Sequence, residues 1–396
     1  MNPDNIYIIP SNNGDILYAP LSRYVCKIYD SKDKVAIPPQ VISTDKGDLN
    51  YSFRWGHVII IPTQVCNLDC SYCYARKAHS KQHINKETLQ VVLDFVLSQK
   101  QEKNKSVSFI GGGEPLVVWD IVKWSILYVQ KHKEPSDKID FYLTTNGTLL
   151  NSERIRFLLQ NKVYIELSFD IIKDLQDRQR PFLSSNLSSY ENVMRKIAIL
   201  EENGASYRIR TTITSESVQL MPEMVQRLIG LKGIRKIQLE PVTQEKIHTL
   251  EFYEKYVEYF WIARHLGKLY NLTVTNSIVA SVDTIRDQFC TGEFCITPDG
   301  KIVTCHRESS PKDLLYSLCL AGKVDDSMID IQHQKYDAFR IRNALPSRCE
   351  SCFARWHCAG FCPLEWENAS IADINNKCWF IKENIKRILQ EKIDIE

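Results

Sequence analysis

The chain has 396 residues, of which 44% are apolar and 25% charged, and its formal net charge is only +2. A balance so close to neutral offers no whole-chain electrostatic case for nucleic acid or a membrane surface. No apolar run approaches the roughly 20 residues of a spanning helix, and Met1 to Ile6 lacks a basic-then-apolar export pattern, so the expected location is the cytoplasm.

Residues 1–55 carry short extended pieces at Ile6–Ile9, Ile16–Tyr18, Tyr24–Tyr29 and Val35–Ile37, with a hairpin turn at Asn12-Asn13-Gly14. They read as a small β-rich segment. From residue 58 the texture changes. Val58–Pro62 is an apolar strand, and Leu89, Val92, Leu93, Val96 and Leu97 then mark one face of a helix. Strands follow at Val107–Ile110, Ile139–Thr145, Val163–Asp170, Tyr207–Thr214 and Ile234–Val242. Helices lie near 120–132, 152–161, 189–203, 220–230 and 251–268. Six strand–helix units in alternation imply a parallel sheet with helices outside, an α/β fold of the partial (β/α)6 TIM-like kind. The alternation stops near residue 285. Short stretches with turns such as Thr297-Pro298-Asp299-Gly300 follow, and a polar-faced helix runs from Trp379 to Glu396. The expected division is therefore 1–55, 56–284 and 285–396.

There are 13 cysteines, an odd number in a large chain with no export signal. Clustered thiols in a reducing compartment are metal ligands more often than disulfides. Cys66, Cys70 and Cys73 directly follow the first strand of the alternating region. Three thiolates on one short loop can hold three irons of a cubane and leave the fourth open. A zinc knuckle is the competing chemistry, although zinc ordinarily takes four ligands.

The segment Cys66-Asn-Leu-Asp-Cys70-Ser-Tyr72-Cys73 resembles the signature of the radical S-adenosylmethionine (SAM) superfamily, including the aromatic residue before the last cysteine. The resemblance implies a 4Fe–4S cluster whose open iron binds SAM and, once reduced, releases a 5′-deoxyadenosyl radical. Gly112-Gly113-Glu114-Pro115 resembles the family motif that holds the SAM ammonium, and Thr144-Thr145-Asn146-Gly147 another segment at the barrel top. Ser168-Phe-Asp170, with Arg180 further on, resembles the place where sulfatase-maturing relatives contact the SAM carboxylate. Ile171 stands where that turn usually has glycine. The cofactor neighbours implied are Tyr72, Gly112, Gly113, Glu114, Asn146, Ser168 and Arg180.

Cys349-x2-Cys352-x5-Cys358-x3-Cys362 with Cys378 downstream, and Cys290, Cys295 and Gly300-x4-Cys305 upstream, resemble the SPASM module of peptide-modifying radical SAM enzymes. The resemblance implies two auxiliary 4Fe–4S clusters, one on Cys290, Cys295, Cys305 and Cys362, the other on Cys349, Cys352, Cys358 and Cys378. Two four-cysteine zinc sites are the chemical alternative. Cys26 and Cys319 are left over and read as packed thiols.

Together these features imply a maturase that oxidatively modifies a ribosomally made precursor peptide, by a crosslink or a dehydrogenation, with electrons supplied by a flavodoxin or ferredoxin. A sulfatase-maturing enzyme that oxidises Cys or Ser to formylglycine is the alternative, and a non-catalytic zinc scaffold is a third reading. Sulfatase maturases place an Asp base directly after the cysteine of the Pro-Asp-Gly turn segment. Here that position is His306, which is also capable of acting as a base. Residues 1–55 invite comparison with leader-binding domains that capture a peptide as an added strand.

Overall fold

The structure is a computed structural model that describes residues 5–11, 14–28, 53–76, 80–243, 247–325, 328–342, 345–367 and 369–394. The strand expected at Val35–Ile37 and the Asn12-Asn13 step of the first turn lie outside these residues. The N-terminal segment forms an antiparallel three-stranded sheet of β1 (Tyr7–Ile9), β2 (Asp15–Ala19) and β3 (Tyr24–Ile28).

The alternating region then runs β4 (His57–Ile60), α1 (Lys86–Ser98), β5 (Asn104–Phe109), α2 (Trp119–His132), β6 (Lys138–Thr145), α3 (Ser152–Gln160) and β7 (Val163–Ser168). It continues with α4 (Lys173–Gln179), α5 (Ser189–Glu202), β8 (Tyr207–Ile213), α6 (Met221–Leu228), β9 (Ile234–Pro241), α7 (Leu250–Leu269), β10 (Thr273–Thr275) and α8 (Ser277–Ser281). Strands β4 to β10 pair in chain order, and every pairing is parallel. Asn85, Asn151, Ser188 and Thr249 cap α1, α3, α5 and α7, each accepting a backbone N–H of the first turn.

The pleat explains both faces of the sheet. Phe141 and Leu143 of β6, Ile165 and Leu167 of β7, and Ile209 of β8 are buried in the main core with the apolar stripes of the helices. The alternate positions are polar or amphipathic: Ser108, Tyr142, Thr144, Glu166, Arg208 and Gln238. They face the inside of the incomplete barrel, where water reaches.

Two features go beyond the six expected units. The three-residue β10 adds a seventh parallel strand, too short to stand out from the polar text around it. The segment after residue 285 is not loop alone. Its strands β11 (Phe294–Ile296), β12 (Lys301–Val303), β13 (Leu320–Asp325) and β14 (Met328–Ile331) extend the same sheet to eleven strands. β11 lies parallel to β4, and the rest follow antiparallel. The closing helix spans Ile371–Ile393, with a full capping box at Ser370 and Asp373.

The N-terminal sheet docks on this C-terminal part. The Tyr18 hydroxyl is hydrogen-bonded to His357 Nε2, Trp356 Nε1 donates to Asn5 Oδ1 at 3.0 Å, and Gln390 Nε2 donates to Ser11 Oγ at 2.5 Å. Among the described residues no helix is long and apolar enough to cross a membrane.

One buried charge sits under the sheet. Lys105 occupies an apolar-face position of β5, and its fully buried ammonium donates to Asp137 at 2.7 Å. Removing only the acid strands the cation, whereas Lys105→Met removes the charge and keeps the volume. Asp137→Ala is expected to cost about 3–5 kcal/mol, and adding Lys105→Met, which leaves neither charge behind, to recover most of that loss, as read by denaturant unfolding.

Candidate functional site

The Cys66–Cys73 loop leaves the C-terminal end of β4, where parallel barrels keep their chemistry. It is held from three sides. On the first, Gly113 N donates to Thr63 O at 2.8 Å and Glu114 N to Val65 O at 2.9 Å. This contact needs both glycines. A Cβ on Gly113 would stand 1.9 Å from Val65 O, and Gly112 has φ +63° with a Cβ position 2.7 Å from Thr63 O.

On the second side, Asn146 Nδ2 donates to Asn67 Oδ1 at 3.0 Å, and Asn67 Nδ2 donates to Thr148 Oγ1 at 2.8 Å. On the third, the loop runs antiparallel to the segment after α4. Asp69 N donates to Pro181 O and Ser71 N to Gln179 O, each at 2.9 Å, and Leu183 N donates to Asn67 O at 3.0 Å. Arg180, the residue that ends α4, is part of that segment.

Glu114 is a strut between loops. Its buried carboxylate accepts from Thr145 Oγ1 at 2.6 Å, Asn146 N at 2.7 Å and Leu116 N at 3.0 Å. Burial is the largest influence on the carboxyl and pushes its pKa up, against those hydrogen bonds. Its acceptor capacity is therefore largely committed within the protein. Beside Gly112, however, Gln64 Oε1 is buried and has no partner among the described residues. A cationic group bound there would satisfy it.

Tyr72, Asp170 and Arg180 form one buried cluster. The Tyr72 hydroxyl donates to Asp170 Oδ2 at 2.6 Å, Arg180 Nε lies 3.1 Å from the same oxygen, and the guanidinium stands 5.2 Å from the Tyr72 ring centre. Burial alone would lower the Arg180 pKa, but the Asp170 charge outweighs it and holds the guanidinium protonated. Asp170 Oδ1 is buried without a partner among the described residues. Ile171 adopts φ +65° at the place read as a glycine position, so the turn persists with a strained β-branched residue. Ser168 ends β7 opposite Arg210. Asp177, three residues before Arg180, serves the start of α5, accepting from Tyr190 N and Ser188 Oγ.

The cavity next to these loops, about 230 Å³ in volume, is walled by Tyr142, Thr144, Tyr164, Glu166, Arg208 and His306, among others. Tyr142 and Tyr164 stack with centroids 5.0 Å apart. His306 is fixed by Glu293, whose carboxylate accepts from His306 N at 2.7 Å and lies 2.9 Å from His306 Nδ1. Burial would raise the Glu293 carboxyl, but the hydrogen bonds and charge of His306 hold it below the usual range. The sequence reading missed Glu293. The signal was present, because the hairpin pairs Cys295 with Val303 and so brings Glu293 opposite the start of the Cys305-His306 step.

Cys349, Cys352, Cys358 and Cys378 line a single cavity together with Phe361 and Ile381. Burial pushes Cys349 to about 11 and Cys358 to about 12. Cys66 and Cys70 are raised likewise, to about 12 and 11. Each thiol keeps its proton until a metal replaces it. The donor chemistry, all sulfur and half-buried in apolar walls, fits iron–sulfur ligation at both places. Among the described residues, no group of three His, Cys, Asp or Glu side chains is placed to hold a single metal ion. Ala359, Gly360 and Phe361 all take positive φ. That reversal sends Cys358 into the four-cysteine cavity while Cys362 comes under the charges of Glu365 and Arg307.

Residues 60–228 match the Radical SAM superfamily model. The chain is 23% identical over 332 residues to the serine-type anaerobic sulfatase-maturating enzyme of Klebsiella aerogenes, covering 78% of this chain and 79% of that protein. In structure it is similar to native anSMEcpe with bound AdoMet (TM-score 0.71, 19% identity, 86% of this chain and 100% of that one). It is also similar to Streptococcus suis SuiB bound to precursor peptide SuiA (TM-score 0.58, 16% identity, 93% and 97%).

Gly113→Ala is expected to displace the Val65–Cys66 backbone and lower iron in the anaerobically reconstituted protein by about four atoms per chain, one 4Fe–4S cluster. Far-ultraviolet circular dichroism should be unchanged, and an unaltered iron content would refute the packing argument.

Proposed function

Taking as premise that this chain is an enzyme with a radical SAM domain over residues 60–228, we propose that it oxidatively modifies a ribosomally made precursor peptide. The Cys66, Cys70 and Cys73 loop holds the SAM-binding cluster, and residues 285–396 carry two auxiliary 4Fe–4S clusters. Bound at that loop, the cluster and SAM supply a 5′-deoxyadenosyl radical able to take hydrogen from an unactivated carbon. The chain's own residues position, shield and handle the proton. Gln64 and the backbone at Gly112 and Gly113 would hold the cofactor's cationic end, while Arg180, backed by Asp170 and Tyr72, and Ser168 would hold its carboxylate.

The observation that carries the reading is the His306–Glu293 pair on the cavity wall. When the ring is neutral and Nδ1–H is donated to Glu293, the His306 Nε2 lone pair is the free acceptor, and it is the atom that takes the proton a substrate loses on oxidation. The cavity mixes a tyrosine stack with Thr144, Glu166 and Arg208, which suits a polar backbone carrying one larger side chain. A flavodoxin or ferredoxin as reductant and a cytoplasmic setting complete the reading.

The second reading is maturation of a sulfatase Cys or Ser to formylglycine. The likeness to the Klebsiella aerogenes enzyme over most of both chains favours it. His306 in place of the Asp expected there favours the first.

The test is an anaerobic assay with dithionite, a precursor peptide and a peptide spanning a sulfatase active-site Cys or Ser, each followed by mass spectrometry. Modification of the precursor alone supports the first reading. Formylglycine as the sole product overturns it, and the absence of any 5′-deoxyadenosine overturns both. His306→Ala is expected to retain 5′-deoxyadenosine release but to lower modified product about 100-fold. Glu293→Gln, which keeps an acceptor for His306, should give a smaller loss.

A further inference from the structure

Of the cysteines assigned by resemblance to the first auxiliary cluster, Cys295 is placed unlike a ligand. It lies at the centre of β11, in register with Ile59 of β4 on one side and Val303 of β12 on the other. Val303 in turn opposes Leu320 of β13. Residues in register across a sheet share a face, so Ile59, Cys295, Val303 and Leu320 make one row over four strands. That row packs with Ile61 and Tyr316 as a small apolar cluster separate from the main core, and Cys295 has 0% exposure within it. A thiol in such a row is a small hydrophobe.

The opposite face carries a different thiol. Thr304 directly follows β12, and Cys319 is the last residue of the short helix Tyr316–Cys319 that leads into β13, 0% exposed yet outside that apolar cluster. Thr304 N donates to Cys319 O at 2.8 Å. A Cβ on Gly292 would lie 3.5 Å from Thr304 Cβ, and Gly292 N donates to Cys290 Sγ at 3.4 Å. Cys290, Thr304 and Cys319 are therefore neighbours on that face. Cys319 lies within electrostatic reach of Cys290 and of Cys305, and Cys290 within that of Cys362. Of the clustered thiols, Cys295 has Cys305 alone within that reach.

We propose that Cys319, rather than Cys295, is the fourth thiolate of the auxiliary site formed with Cys290, Cys305 and Cys362. The assignment rests on the reading that residues 285–396 hold two auxiliary clusters. Three thiolates around a cubane leave one iron open, and the protein closes it with the cysteine on the correct face.

The test compares Cys295→Val, Cys319→Ala and the full-length wild-type chain after anaerobic reconstitution. Iron, acid-labile sulfide and the electron paramagnetic resonance of the reduced protein are measured, with circular dichroism reporting the fold. Cys295→Val is expected to keep the wild-type content of about 12 irons, while Cys319→Ala falls by about four or shows a new signal from an incompletely ligated cluster. Loss of iron in Cys295→Val, or wild-type iron and signals in Cys319→Ala, overturns the assignment. If the wild type itself binds only about four irons, the auxiliary-cluster reading fails, and that failure is visible before any variant is made.

Discussion

The architecture depends on β4 being hydrogen-bonded along both edges. β5 lies on one side and β11 on the other, each parallel to it and each in register over the same residues. β4 ends in the cysteine loop, β5 in the double-glycine turn, and β11 lies within the segment that holds the remaining clustered cysteines. Three chemically distinct parts are thus mounted on adjacent strands of one sheet. Sheet hydrogen bonds leave little freedom between neighbours, so the distances among these parts are set by strand spacing rather than by a domain interface.

Around that frame, buried acids act as internal braces. Glu114 ties the β5 turn to the β6 terminus, Asp170 ties Tyr72 of the cysteine loop to Arg180, and Glu293 fixes His306. Each carboxylate is desolvated, and each recovers the cost through hydrogen bonds or a cation from a different part of the chain. Small displacements of one loop are therefore felt by the others.

Much of this was legible in the sequence, for physical reasons. The barrel strands and helices announce themselves by their periods of 2 and 3.6, because one face of each is buried. The cysteine loop and the turns at Gly112 and Asn146 announce themselves by composition. Three things were not readable. β10 is too short to carry a period. The union of β11 with β4 joins residues more than half the chain apart, and nothing local in either strand encodes it. The face taken by Cys295 depends on register, where one residue inverts the outcome. The family resemblance groups Cys295 with Cys290 and Cys305, whereas the Val303 and Leu320 row decides its direction.

The docking of the first sheet has a consequence for how the molecule is made. β1 and β2 lean on His357, Trp356 and Gln390, and β4 completes its second edge only with Phe294–Ile296. During synthesis this sheet can pair within itself but cannot dock until residues 356–390 have been made. A chain stalled or truncated before that point exposes β1 to β3 and one bare edge of β4 together. Those are the conditions in which strands pair with the wrong neighbour.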